Sequence, residues 1–232
     1  GDYDKVFFAT GAWQRPVLGF DGEEFTEFGL QFLKEVNQWV NKKERNNVLV
    51  VGGGNVAMDV AITCRRLGAK TVTLACLEGE NEMPASDEEV ARAVEEGVVR
   101  LNGYGVSRVL YEKERVTGME LVRCTSVRDE EGRFNPQYDQ NEKRTLEADS
   151  VLMAAGQKVD LSFIEDKYEL ALSRGLIKVD ESTQKTSRSG VFAGGDATTG
   201  PSTVILAIRT GRNAAEAINK ELGEENPAKY SP

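Results

Sequence analysis

The 232-residue sequence contains no histidine, only three cysteines and no long apolar run. Without histidine, a Ser-His-Asp triad and a histidine-ligated metal site are both excluded. Cys64, Cys76 and Cys124 are too scattered to form a Cys-x-x-Cys redox pair or a zinc cluster within this stretch. So few cysteines are typical of a reducing compartment. We therefore expect a cytoplasmic protein that has no metal ligands in this part of the chain.

Positive charge is also scarce. Lysine and arginine total 29 against 38 acidic residues, which gives a net charge of -9. Such a chain has no basic field to attract a phosphate backbone or anionic lipid, and no segment approaches the roughly 20 apolar residues of a membrane helix. We expect neither nucleic acid nor a membrane as a partner. With 40% hydrophobic residues, the chain can bury the core of one or two domains.

The clearest motif is a glycine-rich segment in the first third of the chain. The β-branched run at residues 47–51 is followed by Gly52-Gly-Gly-Asn-Val-Ala57 and an amphipathic stretch to Leu67, a pattern that predicts strand, tight turn and helix. The spacing Gly-x-Gly-x-x-Ala matches the dinucleotide fingerprint, in which backbone N–H groups at a helix N-terminus hold the pyrophosphate. A glycine turn without a ligand is the alternative. The predicted cofactor-binding residues are Gly52, Gly53, Gly54, Asn55, Val56 and Ala57.

The residues after the next predicted strand, 71–75, decide which nicotinamide cofactor enters. In this kind of domain the acid that contacts the ribose lies about 20 residues beyond the glycine fingerprint, and Glu78 lies close to that position. No basic residue occurs between Lys70 and Arg92. A carboxylate accepts from the adenosine 2′-hydroxyl, whereas a 2′-phosphate needs a cation. The sequence therefore predicts NADH over NADPH, unless Glu78 belongs to a solvated loop.

Several further segments carry a family resemblance, and together they cover nearly the whole chain. The sequences are Phe7-Phe-Ala-Thr-Gly-Ala-Trp13, Val48-Leu-Val-Val-Gly-Gly-Gly-Asn-Val-Ala-Met-Asp-Val-Ala61, Arg65-Arg-Leu-Gly-Ala69, Glu82-Met-Pro-Ala85, Met153-Ala-Ala-Gly-Gln157 and Phe192-Ala-Gly-Gly-Asp196. As a set they closely resemble the small (beta) subunit of glutamate synthase and its relatives, which include the electron-input module of dihydropyrimidine dehydrogenase. The resemblance by itself would suggest NADPH. Relatives commonly carry an arginine pair where this chain has Leu77 and Glu78, however, and this departure argues against the NADPH preference that is usual in the family.

The resemblance implies an electron-input flavoprotein. FAD would take hydride from the nicotinamide cofactor and pass electrons to iron-sulfur clusters, with a larger catalytic subunit or an iron-sulfur protein as partner. The cofactors carry the chemistry, so no catalytic side chain is named. The resemblance places Gly195 and Asp196 at the flavin ribitol, Thr203 and Val204 at the isoalloxazine edge, and the turns at Thr10, Gly11 and Gly156 near the cofactors. Ordinary strand-ending turns, or a turn aspartate at residue 196, are the alternatives.

The implied fold class is α/β. A Rossmann-like nicotinamide-binding domain with an antiparallel β-meander is inserted into an incomplete FAD-binding domain of the two-dinucleotide-binding-domain flavoprotein type. Predicted boundaries are residues 1–28 for the first flavin-domain strand and connection, 29–155 for the nicotinamide domain, and 156–232 for the C-terminal part of the FAD domain. The family's N-terminal FAD loop and cluster cysteines are not found in this sequence. We therefore expect a fragment that is inactive alone, with any clusters held elsewhere in the protein or by a partner.

Local patterns predict the remaining elements. Apolar spacing favours a helix at residues 31–40, and the capping box Ser86-Asp-Glu-Glu89 predicts a helix at 87–96. Alternating runs predict a three-stranded meander with turns at Thr117-Gly118 and Glu131-Gly132, and the polar stretch 128–143 predicts a surface loop.

Two other functions compete with the flavoprotein reading. A nicotinamide-binding or regulatory module without flavin chemistry would need the same glycine loop, but it has no evident use for the Gly-Gly-Asp196 segment. A short-chain dehydrogenase is disfavoured because the sequence has no Tyr-x-x-x-Lys.

Overall fold

The computed structural model describes residues 3–38, 43–164 and 168–223. By density of contacts the chain forms two compact units, of which the first comprises Gly1–Arg15 with Gln157–Pro232 and the second Pro16–Gly156. In chain order the second unit interrupts the first. An inserted domain has this chain order.

The second unit is built on a parallel sheet. Its strands are β2 (Glu27–Phe28), β3 (Asn47–Val51), β4 (Thr71–Cys76), β5 (Val99–Asn102) and β9 (Ser150–Met153), numbered in chain order. They lie in the order β2-β9-β3-β4-β5, and every neighbouring pair is parallel. The strand order changes direction between β3 and β9, and in open α/β sheets ligands bind outside the carboxyl ends of the strands at such a point.

Three helices accompany this sheet: α1 (Gly29–Asn37), α2 (Asn55–Arg66) and α3 (Asp87–Glu95). Buried β-branched and aliphatic side chains of the strands form one core with the inward face of α2, including Val50, Leu74, Leu152, Met58 and Val60. Glu89 donates its backbone N–H to the Ser86 hydroxyl, so the predicted helix and the Ser86 half of its capping box are confirmed. The reciprocal half is not formed, because the Ser86 N–H donates to Asn55 Oδ1. The helix predicted at residues 31–40 begins earlier, at Gly29, and its last two predicted residues lie outside the described part of the chain.

An antiparallel meander completes the second unit and corrects two predictions. Its strands are β6 (Tyr104–Glu112), β7 (Arg115–Arg128) and β8 (Phe134–Glu147). Gly118 lies inside β7, so the predicted turn at Thr117-Gly118 is wrong; the chain turns at Lys113 and Glu114, both with positive φ. The predicted loop at 128–143 is also mostly wrong. β8 pairs with β7 through its backbone although its side chains are polar and mainly exposed, and a pattern of side chains does not reveal such a strand.

The first unit contains smaller sheets. β1 (Val6–Phe8) pairs in parallel with β12 (Val191–Ala193), and β10 (Leu172–Ser173) pairs antiparallel with β11 (Leu176–Ile177). The short α4 (Asp196–Thr199) and the long α5 (Val204–Glu221) follow β12. The helix predicted after Gly200-Pro-Ser-Thr203 is therefore confirmed. Buried Ile177, Ala193 and Ala197 form the centre of this unit's core.

The unit boundaries differ from the predicted domain boundaries at residues 16–28. This segment belongs to the second unit because β2 pairs with β9, and the backbone N–H of Val109 donates to the Asp21 carbonyl at 2.9 Å. The assignment of the two units to flavin and nicotinamide binding stays a prediction. Among the described residues, no helix has the length and apolar character needed to cross a bilayer.

Candidate nucleotide-binding site

The glycine loop lies at the point where the strand order of the parallel sheet reverses. Gly52 directly follows β3 and has a φ of 147°. A Cβ built on it would lie 2.4 Å from the carbonyl oxygen of Ala154, the residue after β9. Ala57, fully buried in the first turn of α2, has its Cβ only 3.3 Å from that position. Packing within the protein therefore explains why residues 52 and 57 are small: the glycine loop, α2 and the end of β9 approach each other closely here.

Gly54 differs from Gly52, because nothing in the protein requires it to lack a side chain. A Cβ built there meets no atom within 4 Å, and Gly54 has a negative φ that any residue can adopt. It is the N-cap of α2, and Ala57 is the first residue to donate within the helix, at 2.9 Å to the Gly54 carbonyl. The N–H groups of Asn55 and Val56 therefore have no partner within the helix. This open, electropositive helix start fits a pyrophosphate.

The loop that contains Glu82-Met-Pro-Ala85 braces the glycine turn. Ala85 donates its backbone N–H to the Gly53 carbonyl at 3.0 Å, and Ser86 donates to Asn55 Oδ1 at 2.9 Å. The Asn55 side chain is consequently engaged within the protein, so this residue offers a ligand its backbone N–H. The sequence motif at 82–85 thus has a structural explanation as the support of the loop.

Glu78 lies beside the glycine loop. Its Oε2 would be 2.6 Å from a Cβ on Gly53, so the carboxylate sits directly against that backbone. Its carbonyl accepts from Gly103 N at 3.0 Å and from Asn102 Nδ2 at 3.2 Å. These bonds to the end of β5 fix the position of Glu78. The carboxylate is therefore held against the glycine loop, and its contact with a ribose stays a prediction.

A cleft of about 490 Å³ begins at Glu78. On one side it is lined by Glu78, Glu82 and Pro84, and on the other by the end of the β7–β8 hairpin, including Ser126, Arg128 and Phe134. Sequence reasoning missed the hairpin residues. They lie about 50 residues beyond Glu78 in a segment without periodicity, and only the antiparallel pairing of β7 and β8 brings them to the cleft.

The residues predicted to face a flavin lie in the first unit. Gly195 has a φ of 62°, and its N–H donates to Thr210 Oγ1 at 2.8 Å, which ties the Gly-Gly-Asp turn to α5. Asp196 is half-buried at the start of α4. Thr203 caps α5 by accepting from Leu206 N, and Val204 in the first turn is 74% exposed. A half-buried carboxylate and a capped helix start suit polyol hydroxyls and the flavin edge.

The turns at Thr10-Gly11 and Gly156 follow β1 and β9. Gly11 has a φ of 69°, and a Cβ on it would lie 2.8 Å from Trp13 Nε1; Gly156 has a φ of 93° and no neighbouring atom within 4 Å of its Cβ position. Gly156 belongs to the second unit and Thr10 and Gly11 to the first. Backbone conformation alone accounts for these glycines, so their contact with a cofactor stays a prediction.

The three thiols are free and buried. Burial raises the pKa of Cys64 and of Cys76 to about 12. Because the thiolate is the reactive form, both are inert near neutral pH. No group of three or more potential metal ligands occurs among the described residues.

The parallel sheet, its reversal of strand order and the glycine loop define the second unit as a dinucleotide-binding α/β unit. A model of the family described as pyridine nucleotide-disulphide oxidoreductase matches residues 1–211. The chain belongs to this family.

Curated relatives support the narrower resemblance to glutamate synthase small subunits. The chain is 40% identical to the glutamate synthase [NADPH] small chain of Azospirillum brasilense, over 75% of this chain and 36% of that protein. It is 39% identical to the NADP(+)-dependent formate dehydrogenase subunit beta of Moorella thermoacetica, over 95% and 32%. It is 36% identical to the NAD-dependent dihydropyrimidine dehydrogenase subunit PreT of Escherichia coli O157:H7, over 76% and 37%. The chain thus spans about a third of the length of these relatives.

Solved structures confirm the fold class. Thioredoxin reductase of T. acidophilum superposes with a TM-score of 0.74 at 23% identity, over 94% of this chain and 66% of that one. The predicted two-dinucleotide-binding-domain architecture is therefore confirmed at the level of the fold.

Proposed function

We propose that this chain is part of an electron-input flavoprotein oxidoreductase similar to the small subunit of glutamate synthase. Hydride would pass from NAD(P)H, with NADH favoured, to FAD, and electrons would go on to iron-sulfur clusters or a partner subunit in the cytoplasm. The observation that carries the proposal is Gly54. It lies at the reversal of strand order, starts a helix and leaves open the space that a side chain would fill.

In this proposal the second unit holds the nicotinamide cofactor. The N–H groups of Gly54, Asn55 and Val56 bind the pyrophosphate, while Gly52, Gly53 and Ala57 allow the close turn, and Glu78 accepts from the adenosine 2′-hydroxyl. Gly156 is proposed to lie near the nicotinamide end because it follows β9, the neighbour of β3 at the strand-order reversal.

In the first unit, Asp196 and Gly195 would hold the ribitol of FAD, and the start of α5 at Thr203 and Val204 would face its ring, with Thr10 and Gly11 nearby. When bound, the two cofactors supply the hydride transfer, and the protein contributes binding and orientation. We assign no side chain the role of acid or base. The iron-sulfur clusters and the partner are proposed for the complete protein.

The choice of NADH rests on charge. Two carboxylates, Glu78 and Glu82, line the cleft beside the glycine loop, and a 2′-phosphate beside Glu78 would meet them. The guanidinium of Arg128 also lines the cleft, at the hairpin on its other side, where it donates to the Gly132 carbonyl. The relatives differ in this property: the Azospirillum and Moorella proteins are named for NADPH and NADP(+), and PreT for NAD.

A calorimetric titration of the chain with NADH and, separately, NADPH tests the proposal. We expect NADH to bind at least tenfold more tightly, a difference of about 1.4 kcal/mol. Absence of binding by both nucleotides would refute the proposed function. Tighter binding of NADPH would refute the role of Glu78 alone.

The substitution Glu78→Arg tests the selector directly. It should shift the ratio of the two dissociation constants toward NADPH by tenfold or more. The carboxylate of Glu78 repels a 2′-phosphate, whereas a guanidinium at this position would pair with it. Glu80→Arg is the matched control, since Glu80 is an exposed acid two residues away. An equal shift in both variants would mean that general charge, not the position of Glu78, sets the preference.

The alternative is a nicotinamide-binding or regulatory module without flavin chemistry. Adding FAD distinguishes it from the proposed flavoprotein. If the chain is part of a flavoprotein, NADH should reduce the FAD of the complete protein, and the flavin absorbance near 450 nm should fall. A regulatory module would bind NADH and leave added FAD oxidised.

A further inference from the structure

One wall of the cleft beside Glu78 is formed by residues outside the glycine loop. The end of the β7–β8 hairpin forms it, and Arg128 and Phe134 are paired there in register as the last pair of the ladder. Residues directly opposite each other on antiparallel strands point to the same face. A guanidinium and an aromatic ring therefore lie side by side on the face that lines the cleft.

Phe134 is unusual in its surroundings. The residue is 63% exposed, more than the other aromatic residue of β8, Tyr138 at 38%, on a strand of mostly polar residues. An exposed ring at the end of a hairpin adds little to folding, because it buries little apolar area. A flat ligand stacked on the ring would remove this exposed apolar surface from water.

The end of the hairpin is held in one conformation by hydrogen bonds within the turn. Asp129 Oδ1 accepts from the backbone N–H groups of Glu131 at 3.1 Å and Arg133 at 2.9 Å. Arg128 Nη1 donates to the Gly132 carbonyl at 2.9 Å, and Ser126 Oγ donates to the Arg128 carbonyl at 2.6 Å. Phe134 is thus presented to the cleft by a braced turn, which lowers the entropic cost of using it in binding.

We infer that Phe134 is the stacking platform for the adenine of the nicotinamide cofactor, with Arg128 beside it extending the flat surface. This inference rests on the proposed function. Glu78 would meet the adenosine ribose, and the base attached to that ribose would enter the adjoining cleft, whose volume of about 490 Å³ lies in the range of small-molecule sites. Aromatic and guanidinium faces both stack on purine rings.

The test measures binding of NADH and of 5′-AMP to the wild-type chain and to Phe134→Ala, Phe134→Trp and Asn135→Ala. Phe134→Ala should weaken both ligands about tenfold, while Phe134→Trp should retain or improve binding. Asn135→Ala is the control: it alters the next residue, which points to the other face of the strand, and should leave both affinities unchanged. Reduced nicotinamide mononucleotide, which has no adenine, should bind wild type and Phe134→Ala equally.

The outcomes distinguish this inference from the proposed function. If the wild type binds NADH and Phe134→Ala binds NADH and 5′-AMP as tightly, the stacking platform is refuted and the nucleotide site stands. If Phe134→Ala weakens reduced nicotinamide mononucleotide as much as NADH, the ring does not act on the adenine and the inference is also refuted. If the wild type binds no nucleotide, both proposals fail.

Discussion

At the scale of single residues, the glycines of the loop have different physical reasons. Gly52 is required by the protein, since any side chain would collide with the Ala154 carbonyl. Gly54 has open space beside it, and the proposed function assigns this space to the pyrophosphate. The fingerprint spacing in the sequence does not distinguish the two glycines. Only the packing around them shows that Gly52 is required by the fold and that Gly54 is not.

This difference predicts that Gly52→Ala chiefly lowers stability and that Gly54→Ala chiefly weakens NADH binding. Gly52→Ala should lower the free energy of unfolding by about 2 kcal/mol or more, because backbone must move to accept the Cβ. Gly54→Ala should cost less than about 1 kcal/mol, yet weaken NADH binding more than tenfold. Urea unfolding and calorimetry measure the two quantities. A Gly54→Ala variant that binds NADH normally would contradict the role of the open space.

A second prediction concerns the turn that carries Asp196. Thr210 is buried, accepts from Gly195 N at 2.8 Å and donates to the Ala207 carbonyl at 2.9 Å. Thr210→Val should destabilise the chain by about 1–3 kcal/mol, since the Gly195 N–H loses its acceptor. Thr210→Ser retains the hydroxyl and should cost less. Equal unfolding midpoints in urea for the valine and serine variants would show that this bond does not hold the turn.

At the scale of elements, the sequence predicted what local periodicity encodes. β3, β4, α2 and α3 lie within a few residues of their predicted positions, because buried apolar spacing and a capping box mark them. The three strands of the meander were predicted, but residues 134–143 of β8 were predicted as a loop, because a polar strand is stabilised by its backbone pairing with β7. The same pairing brings Phe134 and Arg128 to the cleft, which explains why Glu78 could be found from its spacing after the glycine loop and these two residues could not.

An ion cluster at β2 makes a pH-dependent contribution to stability: Glu27 pairs with Lys43 and Arg45. Burial of Glu27 opposes its ionisation, but the hydrogen bond from Lys43 and the charge of Arg45 outweigh burial and hold its pKa below the ordinary value. Because the folded pKa is the lower one, this contribution to stability is fully present above the unfolded pKa, about 4.3. It is lost as pH falls through the folded value.

Glu27→Gln should therefore unfold at lower urea than wild type at pH 7, and the difference should shrink as pH falls below about 4. Urea midpoints between pH 3 and 7 measure this difference. Glu24→Gln, at an exposed position nearby, should show no such pH-dependent difference. A Glu27→Gln deficit that is the same at every pH would assign the effect to packing.

At the scale of the whole molecule, one family model spans both units, yet the evidence for a ligand is uneven. In the second unit the glycine loop, the start of α2, Glu78 and the cleft lie together, as the proposed nucleotide site requires. In the first unit, Gly194 and Gly195 are explained by internal packing and positive φ, so the flavin contacts depend on the family resemblance. A sequence motif does not record which of its contacts are internal, so this difference between the two motifs could not be predicted from the sequence.

The most direct test of the central claim is the change in backbone amide NMR signals of the isotope-labelled chain when NADH is added. The account predicts that the largest shifts fall on Gly54, Asn55 and Val56, with Glu78 next, because the pyrophosphate binds the start of α2. NADH binding that leaves these amides unchanged and shifts residues elsewhere would contradict the account.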